Sequence, residues 1–214
     1  YWIVKLDTSG NIEWQKSYGG TQVDIVTSIE ITTDLGYIIA GYSESNDGDV
    51  SGNNGSKDYW ILKTDISGNI EWQKSYGGLY DDNANSIKQT TDGGYVVAGH
   101  SKRNSASCSN LGNGGYWILK LNEQGNIEWE RNYGSLSGFE IANSIELLND
   151  SSYIISGYAY ANGGDVTGSH GNNDFWILKL HPCNKTSELR DTICQGEFYL
   201  LQNGRQIVSS GIYT

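Results

Sequence analysis

Apolar and polar positions alternate along this chain in short runs that return at a fixed spacing. Four runs open on an aromatic pair, YWIVKLD at Tyr1, YWILKTD at Tyr59, YWILKLN at Tyr116 and FWILKLH at Phe175, which sets a period of about 58 residues. After each of the first three comes a run with apolar residues at every second place, as in Ile70, Trp72 and Tyr76 of NIEWQKSY, the period of a strand with two different faces. The twelve residues SGNIEWQKSYGG stand unchanged at Ser9 to Gly20 and at Ser67 to Gly78. A second pair of apolar runs follows in SIEITTDLGYIIAG, SIKQTTDGGYVVAG and SIELLNDSSYIISG, with turns at Asp34, Asp92 and Asp150. The pattern predicts four short strands per repeat, A (SIKQT), B (YVVAG), C (YWILK) and D (NIEWQKSY), joined as sequential hairpins.

The C–D hairpin carries a three-residue loop, Ile66, Ser67 and Gly68, with the glycine in the left-handed conformation. Continued along both strands, this register sets Lys5 opposite Glu13, Lys63 opposite Glu71 and Lys120 opposite Glu128. It also predicts a shared face for Trp60, Leu62, Ile70, Trp72 and Tyr76, and cation–π pairs of Trp2 with Lys16, Trp60 with Lys74 and Trp117 with Arg131. Four-stranded antiparallel units of this size make the expected fold class all-β: a partial β-propeller of four-stranded blades. The chain begins with strands C and D of one blade, continues through two full blades and ends the array with A, B and C of a fourth. It is therefore open as it stands, with an exposed edge at Phe175 to Leu180. Residues 1–182 form the propeller segment, with repeats starting at 1, 59, 116 and 175. Residues 183–214 are expected to be a linker and part of a small C-terminal β-module. The absence of an initial Met is expected of either a processed product or an excerpt, and the SGIYT ending, which stops in mid-strand pattern, favours an excerpt of a larger protein.

Those repeats resemble the propeller repeats of large secreted proteins of Bacteroidota, whose units run D-YW-KLD-G-W-YGG and then DGGY-AG. The similarity spans residues 1 to 180. The segment LRDTICQGEFYLLQNGRQIVSSGIYT is similar to Cys-containing β-modules that follow such propellers ahead of a sorting domain for type IX secretion. The resemblance implies export to the cell surface or the medium. A looser likeness to pyrroloquinoline-quinone-type blades fails at the step from Asp65 to Trp72, one residue too short, and that cofactor is not carried over.

Composition agrees with an all-β chain: 28 Gly, 15 Tyr and 7 Trp in 214 residues, with no Met and one Pro. A net charge of −11 excludes nucleic acid as a natural partner, and no apolar run is long enough for a transmembrane segment. Cys108 lies in a loop. Cys183 and Cys194 either pair with each other, or Cys194 pairs beyond the chain, and an oxidising compartment fits both.

The long connections lie between B and C and between D and A, on one side of the repeat, and they carry Asp24, Asp47, Asp49, Asp58, Asp81, Asp82, Glu140, Asp165 and Asp174. Variable loops on a rigid frame are where binding resides. Asp47, Asp49, Ser51, Gly52, Asn53 and Asp58 match the spacing of a calcium loop, the one metal the sequence offers, against the plain alternative of a solvated turn. His100 stands where the other repeats have Tyr42 and Tyr158 and reads as a packing substitute. His170 and His181 fall in polar surroundings, and no catalytic grouping of His, Ser and carboxylates is found. Lys5, Lys63, Lys120 and Lys179 read as structural cations rather than an anion site. Every Trp falls at an expected packing position between blades.

The expected function is thus a non-catalytic binding, adhesion or display module with a glycan or protein ligand, joined to further blades of the same chain. The alternatives are an accessory domain of an exported polysaccharide-acting enzyme and a structural spacer.

Overall fold

The computed structural model describes residues 1–102, 114–149 and 151–181, and the backbone of 199–200 and 206–207. Asp150, Cys108, Cys183 and Cys194 lie outside the described residues. Every regular element among the described residues is a strand. β1 (Trp2–Leu6) and β2 (Ile12–Ser17) form a two-stranded sheet. β3 (Asp24–Ile31), β4 (Tyr37–Ser43), β5 (Asp58–Thr64) and β6 (Ile70–Tyr76) form a four-stranded sheet in sequence order. β7 (Asp82–Gln89), β8 (Tyr95–Ser101), β9 (Gly115–Leu121) and β10 (Ile127–Tyr133) repeat that arrangement. β11 (Ile141–Leu147), β12 (Tyr153–Ala159) and β13 (Asp174–Leu180) make a three-stranded sheet. All neighbours in these sheets run antiparallel, so the division expected from the sequence, C–D, A–B–C–D twice, then A–B–C, is the one found. β14 (Tyr199–Leu200) and β15 (Gln206–Ile207) pair with each other further on.

The C–D turn forms as its sequence dictates. Asp65 closes it with a backbone bond to Asn69, its carboxylate accepts the Ser67 and Asn69 amides at 2.8 Å, and Gly68 takes φ 75°. Gly10 and Gly125 hold the same place at φ 84° and 73°. Beyond the turn the strands do not follow the expected register. Thr64 faces Ile70, but Lys63 then faces Trp72, which leaves Glu71 as a β-bulge; the same shift recurs at Lys5/Leu6 and between Ile127 and Trp129. The Lys–Glu pairs survive because the bulged carboxylate still reaches back, at 2.7 Å for Lys5–Glu13, 2.8 Å for Lys63–Glu71 and 2.9 Å for Lys120–Glu128.

The Trp–Lys pairs do not survive. Trp2 faces Ser17, Trp60 faces Ser75 and Trp117 faces Asn132, so no basic residue lies opposite these indoles. Arg131 stacks instead over Trp129, at 5.9 Å. One extra residue also moves every side chain beyond it to the other face. Trp72 and Tyr76 therefore belong with Tyr59 and Ile61, while Trp60 and Leu62 point the opposite way.

That division gives each sheet two unlike faces for two unlike neighbours. The Tyr59 face of β3–β6 packs with Ala84, Ile87, Tyr95, Val97, Trp117 and Leu119 of the following sheet. The Trp60 face packs with Tyr1 and Tyr18 of the preceding one. The junctions are near copies of one another. Tyr1, Tyr59 and Tyr116 lay their rings on Trp60, Trp117 and Trp176 at 4.4, 4.6 and 4.5 Å, tilted by 51, 50 and 48°. Each tyrosine hydroxyl donates to the carbonyl of the tryptophan it covers, at 2.8, 3.0 and 3.0 Å. Strand B admits the hydroxyl at a glycine paired with that tryptophan, Gly41, Gly99 or Gly157, where a Cβ would lie 2.7, 2.5 or 2.6 Å from the oxygen.

The duplicated dodecapeptide supplies the outer half of the junction. Tyr18 donates to the Gly68 carbonyl at 2.7 Å and Lys16 to Asn69 at 2.7 Å, so the first copy grips the turn of the second. Tyr76 and Lys74 repeat this on Gly125 and Asn126, both at 2.6 Å. Lys63 is 4% exposed and lies between Asp34 of the A–B turn and the bulged Glu71, 2.8 Å from each, with a third bond to the Thr64 carbonyl. Lys120 stands likewise between Asp92 and Glu128. These lysines are structural. Trp2 departs from the expected packing: it is 65% exposed.

Candidate functional site

Residues 44–57 and 160–173 connect B to C, and each folds back on the D–A connection before it. Asp49 and Gly19 exchange two bonds, amide to carbonyl at 3.0 Å and amide to carboxylate at 3.1 Å; Asp165 and Gly134 make the same two at the same lengths. Asn46 and Asn162 tie the loop tip alike, accepting the Gly52 and Ser169 amides at 3.0 and 2.7 Å. Val50 and Val166 are buried one residue after each clasp. The two loops thus share one conformation built on N-x-G-D-V, a motif visible in both copies, although the role of Asn46, Asn162, Val50 and Val166 is revealed only by the fold.

The residues of the calcium pattern are spread through this loop. Asp47 accepts the Thr21 amide and hydroxyl at 2.8 and 2.9 Å, bonds that hold its carboxyl below the usual range. Ser51 accepts from Gln73 at 2.6 Å. Asn53 donates to the Ser43 carbonyl at 2.8 Å and accepts from Gly55 at 2.9 Å, and Asp58 accepts the Asn54 amide at 2.7 Å. These bonds go to donors of the protein itself, from the loop, the preceding D–A connection and strand β6. No group of three or more His, Cys, Asp or Glu side chains among the described residues is arranged to hold a metal ion.

The remaining acids of these loops also hold backbone. Asp24 and Asp82 accept the Gly20 and Gly78 amides at 2.9 and 2.8 Å. Glu140 accepts the Ser135 hydroxyl at 2.6 Å, and Asp174 the His170 amide at 2.6 Å. Asp81 pairs with Lys102 at 2.8 Å. Asp58, Asp82 and Glu140 are buried, and burial pushes all three carboxyls up, Asp82 to about 6. The sequence places two of them apart, but the fold brings them together. A Cβ on Gly77 would sit 2.4 Å from Asp58 Oδ1 and 2.7 Å from Asp82 Oδ2, and Asp58 adds to the upward shift at Asp82. The Ser101 hydroxyl lies near Asp82, yet Oδ1 of each aspartate is left without a well-formed hydrogen bond.

His100 is buried against Phe139, with ring centroids 5.2 Å apart, and its Nε2 lies 3.0 Å from Asn83 Nδ2, the packing role expected of it. Burial, reinforced by Lys102 and Lys57 against the opposing Asp81, lowers its pKa to about 4. Asp82 and His100 therefore pull stability in opposite directions over the same interval. The raised Asp82 binds a proton more readily when folded, so its contribution grows as pH falls from about 6 toward the unfolded carboxyl value. The lowered His100 binds one less readily, so its contribution is lost as pH falls from the unfolded imidazole value toward about 4. Each effect is on the order of 3 kcal/mol across its window. Denaturant titrations between those limits are expected to show His100→Tyr becoming more stable on acidification relative to wild type, and Asp82→Asn less stable.

A groove of 680 Å³ opens beside β1, lined by Trp2, Ser17, Tyr18, Gly20, Asp24 and Asp49 among others. It joins an exposed indole to two carboxylates. Among the described residues no helix is long and apolar enough to cross a membrane. No protein-family model matches the chain, and no curated protein is significantly similar to it.

Proposed function

We propose that the chain is a non-catalytic segment of a β-propeller, exported to the cell surface or medium, that binds a glycan or protein ligand through its B–C and D–A loops. The observation that carries this reading is the contrast between its two sides. The junctions between sheets repeat one set of rings, hydroxyl bonds and glycine slots. The loops vary in sequence: NDGDVSGNNGSKD in one repeat gives way to the CSNLGNGG region in the next. A frame held constant beneath variable loops is the usual division between scaffold and recognition. The secreted setting rests on the likeness of the repeats to those of exported Bacteroidota proteins.

A glycan array probed with the chain, in calcium and in chelator, tests the reading. Retention of a defined glycan class, reduced by Asp47→Ala or by substitutions in 160–173, is the expected result. Turnover of a glycan would overturn the non-catalytic part. Calorimetric titration with calcium settles the metal: heat present in wild type and absent from the Asp47→Ala, Asp49→Ala double variant assigns it to this loop, and equal heat in both removes it.

A further inference from the structure

Asp58 opens β5 and Asp82 opens β7, so the junction between the two four-stranded sheets brings a carboxylate from each to its loop side. Both residues are shut off from solvent, at 0% and 1% exposed. Each accepts a backbone amide through Oδ2, Asp58 from Asn54 and Asp82 from Gly78, while Oδ1 of each has no well-formed hydrogen bond. Asp58 Oδ1 is aimed at Gly77, where it and Asp82 Oδ2 come within 2.4 and 2.7 Å of the place a Cβ would take. The Asp82 amide donates to the Lys57 carbonyl at 2.6 Å and ties the two strand ends together. No lysine among the described residues offsets the pair: Lys57 turns to Glu44 at 3.8 Å and lies over the Tyr42 ring, and Lys102 pairs with Asp81. Asp24, in the place of Asp82 one sheet earlier, has both oxygens bonded, to Gly20, Ser43 and Ser45. One sheet later Gly115 takes the place of Asp58, and Glu140 alone faces Gly134, 2.6 Å from its Cβ position. The middle junction therefore holds one buried carboxylate more than its neighbour has room for, and two uncompensated charges in one dry place are costly unless an opposite charge joins them.

We propose that Asp58 and Asp82 hold a calcium ion that bridges β5 to β7, at a site separate from the loop spacing of Asp47, Asp49 and Ser51. The donors that converge there are all oxygens: the unpaired Oδ1 atoms, Asp82 Oδ2 and the Ser101 hydroxyl beside it. Such a set selects a hard cation. Two carboxylates match the charge of calcium, and its tolerance of irregular coordination suits donors fixed by two different sheets. Magnesium, which demands a near-octahedral shell and keeps several waters, does not suit so dry a place. With two acids rather than three, hydroxyl and main-chain oxygens complete the shell. The loop of residues 44–57 closes over the ion, since its Asn54 amide holds Asp58. Calcium here acts as a staple between neighbouring sheets and takes no part in contacting a glycan.

Calcium titration of the chelator-treated chain at neutral pH, by calorimetry and by thermal melting, is the test. Wild type is expected to give a saturable heat and a melting temperature raised by about 5 °C at roughly a hundredfold excess over Kd. Asp58→Asn and Asp82→Asn, each close in shape to the native residue, are expected to lose both responses with unchanged circular dichroism. The Asp47→Ala, Asp49→Ala double variant is expected to keep both, which separates this site from the loop pattern above it. Should either amide variant lose its circular dichroism, Asp82→Glu decides: it keeps the charge, moves the oxygens, and is expected to shift the titration to higher calcium. A wild type without heat or melting shift, a folded Asp58→Asn or Asp82→Asn that binds as wild type does, or an Asp82→Glu titration that does not move would each overturn the proposal. Loss of the heat in a folded Asp47, Asp49 double variant would overturn it as well. Glycan retention is measured apart from these responses, so failure of the metal site and failure of the binding function are read separately.

Discussion

Trp60→Ala is expected to lower unfolding stability by about 3–5 kcal/mol, read as a fall in the denaturant midpoint. Trp60 is fully buried, covered by the Tyr1 ring and packed with Ile39, Val50 and Leu62, and its indole donates to Gln73. Alanine opens a cavity between two sheets, and the rigid strands on either side leave little scope for collapse. It also leaves the Gln73 oxygen without its indole partner. Trp2 has the same place in its repeat but an exposed ring, so Trp2→Ala in dilute solution is expected to cost less than about 1 kcal/mol. Equal losses at the two positions would mean that the motif stabilises each hairpin by itself and that the junction contributes little.

Gly99→Ala is expected to cost about 3 kcal/mol, although it adds one methyl group. A Cβ there would come within 2.1 Å of the Asn83 carbonyl and 2.5 Å of the Tyr59 hydroxyl. The carbonyl belongs to the neighbouring strand, where a register shift between Ala84 and Ser86 draws the backbone in, so it cannot turn aside as a side chain would. Tyr59→Phe alone is expected to cost about 1 kcal/mol for the bond to Trp117. The double variant separates the two contacts: removing the hydroxyl relieves one clash and leaves the other, so the combined loss should fall below the sum while staying above 2 kcal/mol by that estimate. Full rescue by Tyr59→Phe would place the whole constraint on the hydroxyl.

Most of the strand order was legible because the spacing of Tyr1, Tyr59, Tyr116 and Phe175 sets the repeat and period-two alternation sets the strands within it. What escaped between C and D was one residue. Glu13, Glu71 and Glu128 bulge without a glycine to announce them, and the Lys–Glu ion pairs are satisfied with or without the bulge, so they gave no warning. Every face assignment beyond the bulge inherited the error, which is why Trp60 and Trp72 were expected to share a face and instead serve opposite neighbours. The loop acids were legible as a group but not by role. Asp47 and Asp49 have ligand spacing, yet spacing along a chain does not say whether an oxygen meets an ion or an amide, and here Thr21 and Gly19 supply the amides. The nearness of Asp58 to Asp82 was out of reach from sequence, since it arises only where two sheets meet at Gly77.

The tyrosine ties carry a consequence for synthesis. Tyr1 reaches Trp60 across 59 positions, Tyr59 reaches Trp117 across 58 and Tyr116 reaches Trp176 across 60. Each fastening spans one repeat and none spans two, so a sheet leaving the ribosome waits for a single further unit before it is locked. The chain can set behind the advancing end one link at a time, each tyrosine face being covered as soon as the next unit arrives.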